Sequence, residues 1–101
     1  MTETVLVTFP SEPKRPGVPL TGRDGWALVK LAEAGPMGVT PIDTPGPRWS
    51  AYVFNLRSLG FNIETRRERH GPPFAGSHAR YVLHEHVSVR ALAPSSEGGG
   101  A

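Results

Sequence analysis

The period of the apolar pattern changes at Gly60, and this change constrains the fold more than any other feature of the chain. Before it, Val53 and Leu56 belong to an apolar stripe with helical spacing, and a glycine such as Gly60 is a common helix terminator. After it, Ile63 and its neighbours alternate with a period of two, which is typical of a strand. The sequence therefore predicts a helix over residues 47–59 that runs directly into a strand.

A second apolar alternation, ARYVLHEH, predicts the partner of that strand over residues 79–86. Pairing Ile63 with Leu83 and Thr65 with Tyr81 keeps the apolar sets on one face, whereas a shift of one residue would turn them outward. We expect a two-stranded antiparallel hairpin over residues 61–86, with about ten residues at its tip outside the ladder of paired strands.

Two further helices are predicted upstream. Residues 24–34 carry apolar side chains near helical spacing, with Asp24 as a candidate N-cap and Gly35 as a stop. A second, short helix is predicted where Thr40 offers an N-cap and Pro41 suits the first helical position. It must end within a few residues, because TPGP follows.

Both ends of the chain differ from this middle part. The segment 4–9, TVLVTF, has high strand propensity and could add to a sheet edge. Prolines then recur every three residues from 10 to 19, which favours an extended polyproline II linker. The same stretch could instead serve as an arm that reaches nucleic acid or as a ligand for another domain. The expected organisation is an arm over residues 1–20, a folded domain over 21–90 and a disordered tail over 91–101.

Composition excludes several classes of function. With no cysteine, the chain cannot form disulfides, thiolate metal sites or iron-sulfur clusters. His84 and His86 have a spacing able to bind a metal, but no third ligand accompanies them, so no metal or other cofactor is expected. No catalytic motif and no apolar run long enough for a membrane span is present, which predicts a soluble, cytoplasmic protein that is not an enzyme.

Positive charge is concentrated in the second half of the chain. Residues 1–46 carry four basic and five acidic side chains, whereas residues 47–90 carry seven arginines and three glutamates, a net charge of +4. Arginine suits phosphate groups and base edges better than lysine does. The pattern is compatible with a solvated basic surface and equally with a surface that binds an acidic partner.

The order of three helices followed by a basic hairpin is that of a winged helix-turn-helix, an α+β fold in which the third helix enters the major groove of DNA. Residues 48–83 begin with the arginine and serine at the start of the third helix, continue through Gly60 and Ile63, and end with AlaArgTyrValLeu. This stretch resembles the small winged-helix domains found in bacteriophage and prophage regions. That resemblance covers about residues 21–84, and it implies DNA binding, in a transcription regulator or an accessory DNA-recognition factor. Trp49 departs from the pattern, because a smaller aliphatic residue is usual there.

Projecting the third helix at about 100° per residue leaves an exposed face opposite its apolar stripe. This face and the hairpin arginines form the predicted contact with double-stranded DNA, and its residues are Arg48, Ser50, Ala51, Asn55, Ser58, Arg66, Arg67, Arg69 and Arg80. Arg57 is expected to brace the helix by pairing with a carboxylate instead. Phe54 on the same face indicates a covered surface: a homodimer or protein partner, the segment 4–9, or DNA itself, with protein packing favoured. The alternative function is therefore a winged helix that binds protein and not DNA, with Phe54, Trp49 or the segment 4–9 forming the contact.

Overall fold

The computed structural model describes residues 4–45, 48–70 and 76–92. Within these residues the chain forms two α-helices, a single turn of 3₁₀ helix and five strands. In chain order they are β1 (Thr4–Thr8), β2 (Val18–Thr21), α1 (Gly22–Ala34), the 3₁₀ helix (Gly35–Met37), α2 (Trp49–Ser58), β3 (Ile63–His70), β4 (Gly76–Leu83) and β5 (Ser88–Leu92). The strands form two antiparallel sheets, ordered β2-β1-β5 and β3-β4. The α+β content is confirmed, whereas the plan of three helices and a two-stranded wing is not.

Helix α1 begins two residues earlier than predicted. Thr21 has the extended backbone of an N-cap residue, although its side chain makes no capping hydrogen bond. The predicted N-cap role of Asp24 is wrong, because Asp24 lies within the first turn of the helix. There its negative charge interacts favourably with the helix dipole. Gly35 ends the helix as predicted: it has a φ of 57°, and its N–H bonds to the Leu31 carbonyl.

The predicted second helix is reduced to a single turn after Thr40. The Thr40 hydroxyl accepts a hydrogen bond from the Asp43 N–H at 2.9 Å, and the Thr40 carbonyl accepts one from the Thr44 N–H at 2.9 Å. The capping role of Thr40 is thus confirmed, but the helix does not continue. Pro45 explains this, since a proline disfavours helical backbone in the residue before it.

The hairpin, hereafter the wing, is formed by β3 and β4 in the predicted register. Ile63 pairs with Leu83 and Thr65 with Tyr81, and the ladder continues as far as His70 opposite Gly76. The predicted tip of about ten residues is therefore too long, because Arg66, Arg67 and Arg69 all lie inside the ladder. Residues 71–75 lie outside the described residues. Strand β4 ends at Leu83 and not at residue 86.

The N-terminal segment is a central strand and not an edge strand. β1 pairs with β2 on one side and with β5 on the other, so both of its edges are occupied. The proline-rich stretch is not an extended polyproline II arm, since two turn hydrogen bonds, from Glu12 N–H to the Phe9 carbonyl and from Arg15 N–H to the Glu12 carbonyl, fold it back into β2. Pro19 is tolerated because β2 is an edge strand, which has one unpaired side.

One hydrophobic core joins both sheets to both helices. Val7 of β1 and Phe9, the residue after that strand, pack in the same cluster as Leu28 of α1 and Leu56 of α2. Trp49 is buried in this core and stacks on Tyr81 of the wing, with ring centroids 6.1 Å apart. No helix among the described residues is both long and apolar enough to cross a membrane. The tail predicted for 91–101 begins with the last two residues of β5, and residues 93–101 lie outside the described residues.

Candidate nucleic-acid interface

Helix α2 is held at both ends. Trp49, in its first turn, donates a hydrogen bond from Nε1 to the Thr44 carbonyl at 2.7 Å. At the other end Gly60 adopts a φ of 101°, the Gly60 N–H bonds to the Arg57 carbonyl, and the Phe61 N–H bonds to the Leu56 carbonyl. This pair of bonds is a Schellman motif, which explains why the chain turns from helix to strand at this glycine.

Arg57 fixes the angle between α2 and the wing. Its guanidinium donates to the Ile63 carbonyl from Nε at 3.0 Å and from Nη2 at 2.7 Å, and also to the Thr65 hydroxyl at 2.7 Å. The predicted bracing role is confirmed, although the acceptors are a backbone carbonyl and a hydroxyl and not a carboxylate.

The exposed face of α2 carries the predicted helix residues. Arg48 and Ser50 are exposed at its start, and Ala51 is half-buried on the same face. Ser58 is exposed as well, but its hydroxyl donates to the Phe54 carbonyl at 3.0 Å and so turns back onto the helix. Phe54 lies at the centre of this face and is 69% exposed, which makes it the most exposed aromatic side chain among the described residues for which exposure is known.

Asn55, one of the predicted DNA-contacting residues, is already engaged in a contact within the protein. Its Nδ2 donates to Asp24 Oδ1 at 3.3 Å, which links α2 to the first turn of α1. A carboxylate therefore lies at the α1 side of the candidate interface. Asn55 lies on the exposed face of α2 as predicted, but its Nδ2 donor is turned toward Asp24 while this contact persists.

The two sides of the wing have different charges. Alternation along the strands places Thr65, Arg67 and Arg69 on the side of the core residue Ile63, which is also the side that α2 contacts through Arg57. We call this the helix side of the wing. Its other members lie opposite those three in the ladder and are Tyr81, Ala79 and Ser77.

The opposite side of the wing is an ion-paired side. Arg66 lies 3.2 Å from Glu64, and Arg80 lies 2.6 Å from Glu68 and also donates to the Met37 carbonyl at 2.8 Å. His78 lies 3.1 Å from Glu68, and His84 lies 2.5 Å from Glu64.

These contacts shift the pKa values of the Glu64 and Glu68 carboxyl groups. The hydrogen bond from Arg66, with a second from His84, lowers the pKa of Glu64 below its ordinary value. The hydrogen bond from Arg80 lowers the pKa of Glu68 in the same direction, although desolvation opposes it. Both carboxylates are therefore charged at neutral pH and offset the arginines beside them.

The wing arginines of the predicted set thus divide into two pairs. Arg66 and Arg80 are neutralised on the ion-paired side, and the Arg80 side chain is only 23% exposed. Arg67 and Arg69 are exposed on the helix side, and among the described residues neither has an acidic partner. Across the ladder they face only the small residues Ala79 and Ser77, so their guanidinium groups are open to a ligand.

Arg23 is a basic residue at this interface that the sequence interpretation missed. Its guanidinium lies over the Trp26 ring, 4.2 Å from the centroid, and Nε donates to the Tyr52 hydroxyl at 3.2 Å. These contacts hold a charged group beside α2 on the side away from the wing. The predicted helix began at residue 24 and so left Arg23 outside it. Because α1 begins at Gly22, the spacing of three residues places Arg23 and Trp26 on one face.

Arg15, which could have belonged to a nucleic-acid-binding arm, has a structural role instead. Its guanidinium donates to Glu85 at 2.6 Å and to the Gly60 carbonyl at 2.9 Å, and it stacks over the Phe9 ring at 3.6 Å. It therefore fastens the β1–β2 loop to the end of α2. The segment 4–9, offered as a protein contact, has both of its edges paired within this chain.

His84 and His86, the pair considered as metal ligands, are used in polar contacts. His84 contacts Glu64, and His86 Nδ1 lies 3.3 Å from the Ser11 hydroxyl. In the part of the chain that the structure describes, no three side chains of the kinds that bind metals come together.

Helix α2 leads through Gly60 directly into the two-stranded wing, and the exposed Arg67 and Arg69 lie on the side of the wing that α2 contacts. The family model described as a winged helix domain matches residues 18–93, which is most of the chain. No curated protein and no solved structure matches the chain significantly. The chain belongs to the winged helix domain family.

Proposed function

We propose that this protein binds double-stranded DNA, with α2 in the major groove and the helix side of the wing on the sugar-phosphate backbone. In this proposal the protein acts in the cytoplasm, as a DNA-binding protein and not as an enzyme. The resemblance of residues 48–83 to winged-helix domains of bacteriophage and prophage regions supports a role as a small regulator or accessory DNA-recognition factor.

The observation that carries the proposal is the placement of Arg67 and Arg69. Both lie on the side of the wing that meets α2, and no acidic side chain among the described residues neutralises them. Arg48 is exposed at the start of the same helix, where it can reach a guanine edge. Arg23 adds a fixed cation on the opposite flank. A duplex whose groove receives α2 would therefore find positive charge on both sides of the helix.

The matched pair Arg67→Ala and Arg66→Ala tests this arrangement. Both substitutions remove one positive charge from an exposed position of β3, so they change the net charge equally. We expect Arg67→Ala to weaken duplex binding and to reduce the slope of log Kobs against log salt by about 0.9, the value for one phosphate contact. Arg66→Ala should leave the slope unchanged, because Arg66 is paired with Glu64.

Equal effects of the two substitutions on duplex affinity and salt slope would show that the helix side of the wing makes no specific contact with the DNA backbone. Absence of duplex binding by the unaltered protein at about 50 mM salt, where phosphate contacts are strong, would exclude the proposed function.

Exposure of Phe54 supports a second candidate, a winged helix that binds protein. An aromatic side chain 69% exposed at the centre of α2 could anchor a homodimer or a protein partner. Sedimentation of the unaltered protein and of Phe54→Ala tests self-association: a dimer that becomes a monomer in the variant, without duplex binding by either, would favour this candidate.

A further inference from the structure

The centre of the exposed face of α2 offers apolar surface and little hydrogen-bonding capacity. Phe54 projects from it, flanked by the small side chains of Ala51 and Ser58. The Ser58 hydroxyl hydrogen is committed to the Phe54 carbonyl, and Nδ2 of Asn55 donates to the Asp24 carboxylate. A ligand that meets this part of the helix therefore encounters mainly a phenyl ring and a methyl group.

The surroundings of Phe54 do not resemble the core of a protein interface. Such cores contain several large apolar side chains close together. Leu59, the exposed large apolar residue at the C-cap of α2, lies five residues further on and so about 140° away around the helix axis. Arg48 at the N-cap of α2 and Arg67 and Arg69 on the helix side of the wing are exposed cations without acidic partners among the described residues. Within the same described residues, the one carboxylate at this face is that of Asp24, which contacts Asn55 on the α1 side. One protruding ring among free cations is complementary to a polyanion that presents an apolar group in a groove.

Thymine provides that apolar group. In the major groove its C5-methyl is the only apolar feature that distinguishes one base pair from another, and phenylalanine and alanine are side chains that contact it. We propose that α2 reads thymine C5-methyl groups through Phe54, with Ala51 allowing the close approach of the base edge. The inference rests on the proposed DNA binding and specifies how its sequence would be recognised.

The critical experiment changes the DNA and leaves the protein unaltered. A duplex enriched from a randomised pool is compared with the same duplex in which every thymine is replaced by uracil, which removes the methyl group and keeps all Watson–Crick hydrogen bonds. Loss of one buried methyl contact should weaken binding about fourfold. Restoring thymine at single positions in the uracil duplex should recover the affinity at the contacted base pairs only.

Protein variants then assign the contact to Phe54. Phe54→Ala should bind thymine and uracil duplexes equally. Leu59→Ala, which truncates the exposed apolar residue at the C-cap of the same helix, should keep the preference for thymine. Because Phe54 is exposed, its removal should leave the thermal unfolding midpoint nearly unchanged.

The outcomes separate this inference from the proposed function. Tight duplex binding with equal affinity for thymine and uracil would overturn methyl reading while DNA binding stands. A uracil effect that persists in Phe54→Ala would overturn the assignment to Phe54. Conversion of a dimer to a monomer by Phe54→Ala, with the thymine preference unchanged, would identify Phe54 as a protein contact. Failure of the unaltered protein to bind any duplex would remove both proposals.

Discussion

Arg57 donates two hydrogen bonds to the backbone carbonyl of Ile63, and these bonds join the exposed helix of this protein to its wing. The carbonyl lies at the first residue of β3, so the position of the helix and the path of the strand depend on each other. The contact therefore holds α2 on the side of the wing that carries Arg67 and Arg69, and a lysine, with no planar fork, could not reproduce it.

Replacing Arg57 should uncouple the helix from the wing. We expect Arg57→Ala to lower the free energy of unfolding by about 1 kcal/mol, the usual net value of such hydrogen bonds, measured by urea denaturation. Arg57→Lys should recover only part of that loss. Arg48→Ala removes the same kind of side chain from the same helix, where it has no partner among the described residues, and should change stability by less than about 0.5 kcal/mol. Equal losses in Arg57→Ala and Arg48→Ala would contradict the bracing role.

Gly38 allows the chain to approach the wing closely. Val39 exchanges two backbone hydrogen bonds with Tyr81, and a Cβ atom on Gly38 would lie 2.6 Å from the Tyr81 carbonyl oxygen and 2.8 Å from Val82 Cγ2. Gly38 also has a φ of 71°, which side chains disfavour. Gly38→Ala should therefore combine backbone strain, about 2 kcal/mol, with a steric clash.

Gly35 is the matched control, because it has a φ of 57° but a Cβ atom added to it would meet nothing within 4 Å. Gly35→Ala should cost the strain alone, so Gly38→Ala should be more destabilising by at least about 1 kcal/mol in thermal or urea unfolding. Similar losses of unfolding free energy in the two variants would show that the backbone around Gly38 moves away from the wing without cost.

The ion-paired side of the wing should make stability depend on pH. Arg66 and His84 lower the pKa of Glu64, and Arg80 lowers that of Glu68. A carboxyl whose pKa is lower in the folded than in the unfolded state stabilises the fold fully above its unfolded pKa of about 4.3, and this stabilisation is lost as the pH falls through the folded value.

We therefore expect the urea midpoint to fall as the pH is lowered from about 6 through about 4 and below. The variant Glu64→Gln with Glu68→Gln should show a flatter profile over the same window. An identical acid profile in the double variant would mean that other carboxyl groups dominate.

Asp24 should weaken DNA binding in the unaltered protein. Its carboxylate occupies the Asn55 amide and adds a negative charge at the α1 side of the candidate interface. We expect Asp24→Ala to increase duplex affinity about fivefold at low salt, the effect of removing about 1 kcal/mol of repulsion, and less at high salt. Fluorescence anisotropy over a salt series measures this change.

Asn55→Ala in both backgrounds separates the two effects of Asp24. If the amide is released for base contact, Asn55→Ala should weaken binding only when Asp24 is absent. A gain of affinity that does not depend on Asn55 would leave charge repulsion as the whole effect.

Local patterns determined much of this protein from the sequence alone. The ends of the two helices, at Gly35 and Gly60, depend on residues close in the chain. The register of Ile63 with Leu83 depends on the alternation of apolar side chains, because a shift of one residue would turn them outward. The apolar stripe of α2 likewise defined its exposed face, so the placement of Arg48, Ser50 and Phe54 followed directly.

Tertiary structure decided the rest. An arginine on the wing is ion-paired only if a glutamate lies on its own side of the ladder, and this depends on how far the ladder extends. Arg66 and Arg80 share a side with glutamates, whereas Arg67 and Arg69 lie on the other side. The contact between Asn55 and Asp24 joins residues 31 positions apart, and the strand pairing of β1 with β5 joins the two ends of the described chain. Such pairings depend on which segments share a core, and no local pattern of residues records that.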